Sequence, residues 1–442
     1  MRDHSRHIEL SRDAAVAGML GALPGSFGHQ RMERVALSES YGRVLAEDVP
    51  YKTDLPNALT CAMDSIAVHW DAFAGLPDGQ IPNTDAWVRG VDWEFANTGV
   101  AMPAGFDAAI VVEHVDVSDD EMHVRVKAAP SGRWAGTRAV GSQARRGDVA
   151  WEAGCVITPD IAARIAAAGH SSVTVMAKPR VAFIPTGNEL VPANLPFAAS
   201  AAERFAGQGR VYESNGAVVR GKVEAWGGVF VPFDIVPDER EAIRRALLDA
   251  CAVADIVVLN AGSSKGSDDW SVEVLEELGR MICHQTNHGP GHHSSYGLVD
   301  DVPVVGISGP SGGASFTLGF YLLPLMKRFF GLDPAPRTIA AMLTADLSAG
   351  KMEKRARTPQ AELRGEERPA EATDLGDEFF SVKFLTLASD DQGRLLATPV
   401  PGRPGSVQAE AANAYCLMPA GPAAQPPKAG QVIQVELRNQ WL

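Results

Sequence analysis

The sequence predicts a soluble α/β chain of several domains, in which an open α/β domain is preceded by a β-rich module and followed by a small β-barrel. Three observations carry this reading. The chain has 442 residues, more than one hydrophobic core usually serves. Within residues 178–332, short apolar runs alternate with helical patterns in the order of βαβ units. Beyond residue 377, four short strand-like runs are separated by Gly and Pro, the pattern of a closed or nearly closed barrel.

Taken in order, Met1-Arg2-Asp3-His4 leads into no apolar signal segment, and the longest apolar stretch, 315–330, is too short and interrupted to span a bilayer. Neither a secretion signal nor a membrane anchor is expected. Residues 1–51 and 141–177 form an N-terminal domain into which the small β-rich module, 52–140, is inserted; there Val124-Arg125-Val126-Lys127 alternates as a half-buried strand does. Thr158-Pro159-Asp160, then Ile161-Ala162-Ala163-Arg164-Ile165, closed by Gly169, supplies the cap, first-turn proline and terminal glycine of a short helix.

In the α/β domain, Val181-Ala182-Phe183-Ile184 runs into Pro185-Thr186-Gly187-Asn188-Glu189. Residues 254–259 run into Asn260-Ala261-Gly262-Ser263-Ser264, and 302–307 into Ser308-Gly309-Pro310. Asp238-Glu239-Arg240-Glu241 has capping-box spacing and opens a helix reaching about Cys251; residues 270–281 read as another helix. Ligands of open α/β sheets bind outside the C-terminal ends of the strands, so the polar residues there are site candidates as a group. The C-terminal domain, 333–442, contains a charged, Pro-, Ala- and Arg-rich stretch, 350–377, read as a flexible insertion, and strand-like runs at 379–387, 394–399, 414–418 and 431–437.

Forty-five per cent apolar residues and a formal net charge of −14 argue against non-specific nucleic-acid binding, so an anionic ligand must meet a local basic patch. The five cysteines are odd in number and contain no Cys-x-x-Cys pair, which fits a reducing cytoplasm rather than a disulfide framework or zinc ribbon.

Ala62-Met63-Asp64 matches the core of an N-terminal signature in the molybdopterin molybdenumtransferase family, the molybdenum insertases related to the C-terminal part of gephyrin. Thr98-Gly99, Pro103-Ala104-Gly105 and Val111-Val112-Glu113 resemble a second ordered run of that family, and Arg145-Arg146-Gly147-Asp148 a third. Pro179-Arg180-Val181 through Thr186-Gly187-Asn188-Glu189-Leu190, then Glu213-Ser214-Asn215 and Gly266-Ser267-Asp268-Asp269, complete six matches in order. The resemblance implies a homodimer of four-domain protomers with an elongated linker domain, a small domain, a molybdopterin-binding α/β domain and a C-terminal barrel. It implies an active site at the dimer interface, between the α/β domain of one subunit and the small domain of the other. The implied reaction loads molybdate or tungstate into adenylated molybdopterin with Mg2+ and releases AMP. Molybdoenzymes or other cofactor-synthesis proteins are the implied partners, with neither nucleic acid nor membrane involved.

Cleaving an adenylate's pyrophosphate linkage develops negative charge beside existing negative charge, which calls for a divalent cation held by hard oxygen ligands. The resemblance points to Asp64, Asp148, Glu189 and Asp269 as catalytic acids and to Asp269, Glu189 and Asp238 as metal ligands. The competing reading of each acid is a solvated loop residue or helix cap, and Asp238 already has a capping role. Thr186, Gly187, Gly262, Ser263 and Ser264 can present amides and hydroxyls to a phosphate where a helix begins. Arg145, Arg146 and Lys265 can supply positive charge, and Thr98 and Ser308 hydroxyls to an oxyanion.

The chain departs from the family at its ligand loops. One signature acid gives way to Leu59-Thr60-Cys61, and a Ser-Gly-Gly to Asn260-Ala261-Gly262. A Lys-Pro-Gly-Lys-Pro loop becomes Gly289-Pro290-Gly291-His292-His293, and Ser308-Gly309-Pro310-Ser311 replaces a Pro-Gly-Asn-Pro run. His284, His288, His292 and His293 fall close enough to suggest a transition-metal site, but the Gly and Pro between them break the helix that would align them. Alternatively His292 replaces a lysine as a pH-dependent cation, which predicts weaker anion binding as pH rises from about 6 to 8. Three functions compete: an insertase, a non-catalytic molybdopterin carrier or scaffold, and a different hydrolase on the same α/β domain, which would need neither the Ala62-Met63-Asp64 run nor the barrel.

Overall fold

The computed structural model describes residues 8–28, 31–77, 79–193, 209–260, 270–348, 379–402, 404–420 and 424–438. The stretch 350–377, together with Gly262, Ser263, Ser264, Lys265 and Asp269, lies outside the described residues. The chain divides into two compact units, Glu33–Val175 and a second made of Met1–Met32 with Met176–Leu442.

In Glu33–Val175, strand Ser65–Val68 pairs antiparallel with both Trp93–Ala96 and Ala108–Val111. Ile66, Val68, Trp93 and Ile110 pack there with Val115, Val124 and Val126 of a neighbouring hairpin. The alternation expected at 124–126 is present: both valines are buried and Arg125 is exposed. A second cluster forms around the helix Pro159–Ala167, where Ile161, Ala162 and Ile165 pack on Leu45, Ile157 and Val175. Its N-cap is Thr158, whose hydroxyl accepts from the Ile161 amide at 3.3 Å, and Gly169 leaves it at φ +91°.

The second unit opens with α1 (Arg12–Ala22), capped by Ser11, which accepts from the Ala14 amide at 3.2 Å. Its sheet contains β1 (Arg180–Pro185), β2 (Val229–Pro232), β3 (Ile256–Asn260), β4 (Arg280–Cys283), β5 (Ser295–Val299) and β6 (Val302–Ile307), in the order β2-β1-β3-β6-β5-β4. The first four are parallel and the β6-β5-β4 edge is antiparallel. Helices α2 (Asn215–Ala225), α3 (Arg240–Val253) and α4 (Ser271–Leu278) accompany it. Ile184, Leu259 and Val304 from the sheet meet Ile243 and Leu247 of α3 and Leu275 of α4 in one core. Hydrophobic runs buried on both sides, as in β3, are what parallel strands require.

Two expectations are corrected here. The capping box at Asp238 does not form: Glu239 is the N-cap of α3 and has no side-chain cap bond, while the Asp238 carboxylate accepts from the Asn188 amide at 3.0 Å. The helix expected over 270–281 ends at Leu278, because Gly279 passes the β5 backbone so closely that a Cβ there would lie 1.9 Å from the Leu298 carbonyl oxygen. Met281 then enters the edge strand β4.

The C-terminal strands β7 (Thr338–Leu343), β8 (Phe379–Ser389), β9 (Leu395–Pro399), β10 (Ala414–Ala420) and β11 (Val432–Leu437) close in the order β8-β9-β7-β11-β10, with β10 returning to β8. The barrel core is Ala341, Leu343, Leu385, Ala397, Ala414 and Val435. The long apolar stretch near residue 320 forms α5 (Ser311–Thr317), a π turn (Leu318–Leu322) and α6 (Leu323–Phe329), with Phe316, Leu322, Leu325 and Phe329 buried. No described helix is long and apolar enough to cross a membrane.

Candidate functional site

The parallel strands bring their C-terminal ends together as the βαβ pattern requires. Register places Asn260 of β3 opposite Pro185 of β1 on one side and Ile307 of β6 on the other. Thr186, Asn260 and Ser308 therefore lie along one edge of the sheet, all buried. The Thr186 hydroxyl donates to the Asn260 carbonyl. Asn215, the first residue of α2, donates through Nδ2 to Asn260 Oδ1 at 2.9 Å and to the Gly309 carbonyl at 2.8 Å. Two acceptors on one nitrogen fix the amide orientation and leave Oδ1 as the unused atom. Asn215 Oδ1 and Ser308 Oγ are buried without hydrogen-bond partners among the described residues. Asn260 belongs to the strand-end polar residues that the sequence marks as a group, whereas Asn215, which ends the Glu213-Ser214-Asn215 match, is not marked there as a ligand residue.

Beside this edge, the Thr186–Glu189 loop is held by a reciprocal pair. Asn188 N–H donates to Asp238 Oδ2 at 3.0 Å, and Asp238 N–H to Asn188 Oδ1 at 3.3 Å. Asp238 is thus a loop anchor through Oδ2. Gly187 has φ +148°, and a Cβ there would stand 2.7 Å from Glu189 Oε2, so the turn needs glycine. Glu189 is exposed, and its carboxylate has no hydrogen-bond or ion-pair partner among the described residues. Arg210, also missed, donates to the Asn188 carbonyl at 2.9 Å and places a cation by this loop. Its sequence surroundings carry no motif.

The Gly289–His293 loop and Ser308 both close on Gly313 in α5, where a Cβ would lie 2.4 Å from Ser308 Oγ and 3.6 Å from the Gly291 nitrogen. Among the described residues the histidines form no metal site. His284 accepts from the Ile8 amide through Nδ1 and donates to Glu276 through Nε2, at 2.9 and 2.5 Å. His288 donates through Nδ1 to the Pro290 carbonyl at 3.0 Å and accepts from the Tyr321 hydroxyl at 2.6 Å. Burial pushes its pKa down to about 4, keeping the ring neutral. His292 donates through Nδ1 to the Thr286 carbonyl and lies tilted against His293 and edge-on to Phe379. Each ring answers its own neighbours, and no group of three His, Cys, Asp or Glu among the described residues is placed to hold a metal.

In Glu33–Val175 the candidates sit on exposed turns. Asp64 Oδ1 accepts from both the amide and the hydroxyl of Thr98, each at 2.9 Å, and these bonds lower its pKa. Arg138 donates to the Ala62 carbonyl at 3.5 Å, adding an unforeseen guanidinium next to Ala62-Met63-Asp64. Asp148 accepts from the Arg145 amide at 2.8 Å, and the Arg146 amide donates to Asp54 at 2.8 Å. With Gly147 at φ +93°, this turn displays the Arg145 and Arg146 side chains exposed and without acidic partners among the described residues. Asp148 is therefore occupied in shaping the turn.

Residues 10–169 match the family described as MoeA N-terminal region (domain I and II), and residues 182–328 the family described as probable molybdopterin binding domain. A molybdopterin molybdenumtransferase of Haemophilus influenzae is 26% identical over 335 residues, 73% of this chain and 78% of that protein. A putative molybdopterin biosynthesis protein of Methanocaldococcus jannaschii is 28% identical over 286 residues, 64% of this chain and 70% of that protein. The crystal structure of a molybdopterin biosynthesis MoeA protein from Pyrococcus horikoshii superposes with a TM-score of 0.70 at 21% identity, covering 98% of this chain and 100% of that one. The Pyrococcus structure shows the shared fold, and the two consecutive family matches with the named relatives make this chain a member of the molybdopterin molybdenumtransferase family.

Proposed function

We propose that this protein acts in molybdenum cofactor biosynthesis by inserting molybdate or tungstate into adenylated molybdopterin, with Mg2+-dependent release of AMP. The observation that carries the reading is the pair of buried polar atoms without partners among the described residues, Asn215 Oδ1 and Ser308 Oγ, within the stretch that matches a probable molybdopterin binding domain. Leaving such atoms unsatisfied costs about 1–3 kcal/mol each, which a polar ligand at the strand ends offsets.

Glu189 presents the open carboxylate that suits Mg2+, a cation that takes oxygen ligands and needs only one or two from the protein. Asp269 is the second ligand in this reading. Bound there, Mg2+ offsets the charge developing on the pyrophosphate linkage. Asp238 keeps the Glu189 loop in place. In this reading the Gly262-Ser263-Ser264 segment takes the phosphate oxygens, and Thr186 and Gly187, whose hydroxyl and amide donate to the Asn260 and Val236 carbonyls, hold the turn beside it. The Thr98 hydroxyl, held in place by Asp64, in this reading exchanges that bond for the incoming oxyanion, and Arg145 and Arg146 attract the anionic substrates. A cytoplasmic homodimer of four-domain protomers, passing its product to a molybdoenzyme, completes the proposal.

The experiment is AMP release from adenylated molybdopterin by the purified protein, with Mg2+ and with molybdate or tungstate added separately. Release that depends on one oxyanion and disappears in Asp269→Ala supports the insertase and names its metal. One observation favours the carrier reading: the loop that lacks the family's two lysines offers His292 instead, whose Nδ1 is already engaged by Thr286. Tight pterin binding without AMP release under either oxyanion would establish that reading instead.

A further inference from the structure

Helices α1 and α2, the π turn and the barrel strands β10 and β11 enclose a cavity of about 310 Å³. Val16, Leu20, Trp226, Phe320 and Leu323 give it apolar walls. Most of the cations at its margin are satisfied. Arg12 bonds Glu436 at 2.5 Å and Asp13 at 2.8 Å, Arg438 bonds Glu410 at 2.5 Å, and Lys327 donates to the Ala335 carbonyl at 3.0 Å.

Lys222 is different. Its ammonium lies over the Trp226 ring, 5.2 Å from the centroid, and among the described residues no carboxylate or carbonyl accepts from it. Burial, reinforced by the nearby Arg438 charge and only partly opposed by Glu410, pushes its pKa down to about 8. A partly desolvated cation without an anion is costly, and here it borders a half-open pocket with largely apolar walls.

We propose that this cavity binds a small carboxylate with a compact aromatic body, its carboxylate pairing with Lys222 and its ring resting against Trp226, Phe320 and Leu323. The volume stands at the small end of ligand pockets, roughly 300–1,000 Å³, and suits a bicyclic acid. One unpaired cation among apolar walls selects a single negative charge on a greasy body and disfavours a phosphate, which needs several donors. The site is separate from the strand ends, and its existence does not depend on the insertase reading.

The full-length protein is titrated calorimetrically at pH 7 with 2-naphthoate and, in parallel, with the neutral 2-naphthalenemethanol. The expected result is one naphthoate per chain, bound at least tenfold more tightly than the alcohol. Lys222→Met should bring the two affinities together, and Lys222→Arg should restore the preference. Gly319 lines the cavity and a Cβ there meets nothing within 4 Å, so Gly319→Leu should fill the space without unfolding the chain and remove both ligands. Failure of naphthoate to saturate, equal affinities in the parent protein, a preference that survives Lys222→Met, or full binding by Gly319→Leu would each overturn the assignment.

Discussion

Asn215 at the sheet edge and Asp64 on its exposed turn both orient a neighbouring polar group, in opposite environments. Asn215 is buried and its amide ties the ends of β3 and β6 together, so its bonds belong to the fold as much as to any ligand. Asp64 is exposed and tethers only the Thr98 turn, so water replaces its bonds at little cost. The lesson is that one protein carries two kinds of candidate site residue: those whose loss damages folding and those whose loss damages only the chemistry.

The buried side should be the more fragile. Asn215→Leu strands Asn260 Oδ1 and the Gly309 carbonyl, and a loss of about 3 kcal/mol is expected in urea denaturation. A change below about 1 kcal/mol would break the comparison, since the network would then be ornamental to the fold. Acid should find the same region. The pKa of His288 is about 4 in the folded chain against 6.5 ordinarily, so between those values the unfolded chain binds more protons and stability falls as pH drops from 6.5 towards 4. The loss is roughly 3 kcal/mol, constant below pH 4, and His288→Gln should flatten that slope in denaturation curves taken across the window.

The exposed side should leave folding intact. Glu189→Gln is expected to raise the Mg2+ needed for half-maximal AMP release about thirtyfold, with an unchanged thermal midpoint. An unchanged Mg2+ requirement would remove Glu189 from the metal site. Asp64→Ala frees Thr98, and kcat/KM should fall about tenfold, the scale of one misplaced hydrogen-bond donor. If its thermal midpoint fell as far as that of Asn215→Leu, the distinction between the two regions would disappear.

Much of the architecture follows from local pattern. The Thr158 cap, the Pro159 turn and Gly169 mark their helix without outside help, and the runs at β1, β3, β6 and the barrel strands are apolar and bounded by turn residues. The antiparallel edge was not legible. Met281 looks helical until the Leu298 carbonyl is brought against Gly279, a contact made only by β5.

Residue types and motif order by themselves determined the family, the α/β class and the strand-end loops proposed as the ligand site. Tertiary structure decided which polar atoms there are spent and which are open. Asn215 reaches partners 45 and 94 residues away, Asp238 anchors a loop 50 residues upstream, and Lys222 shares its cavity with residues from α1 and β11. A side chain's charge state and spare bonding capacity depend on what desolvates it and what it meets, and for these residues both are supplied by segments remote in the chain.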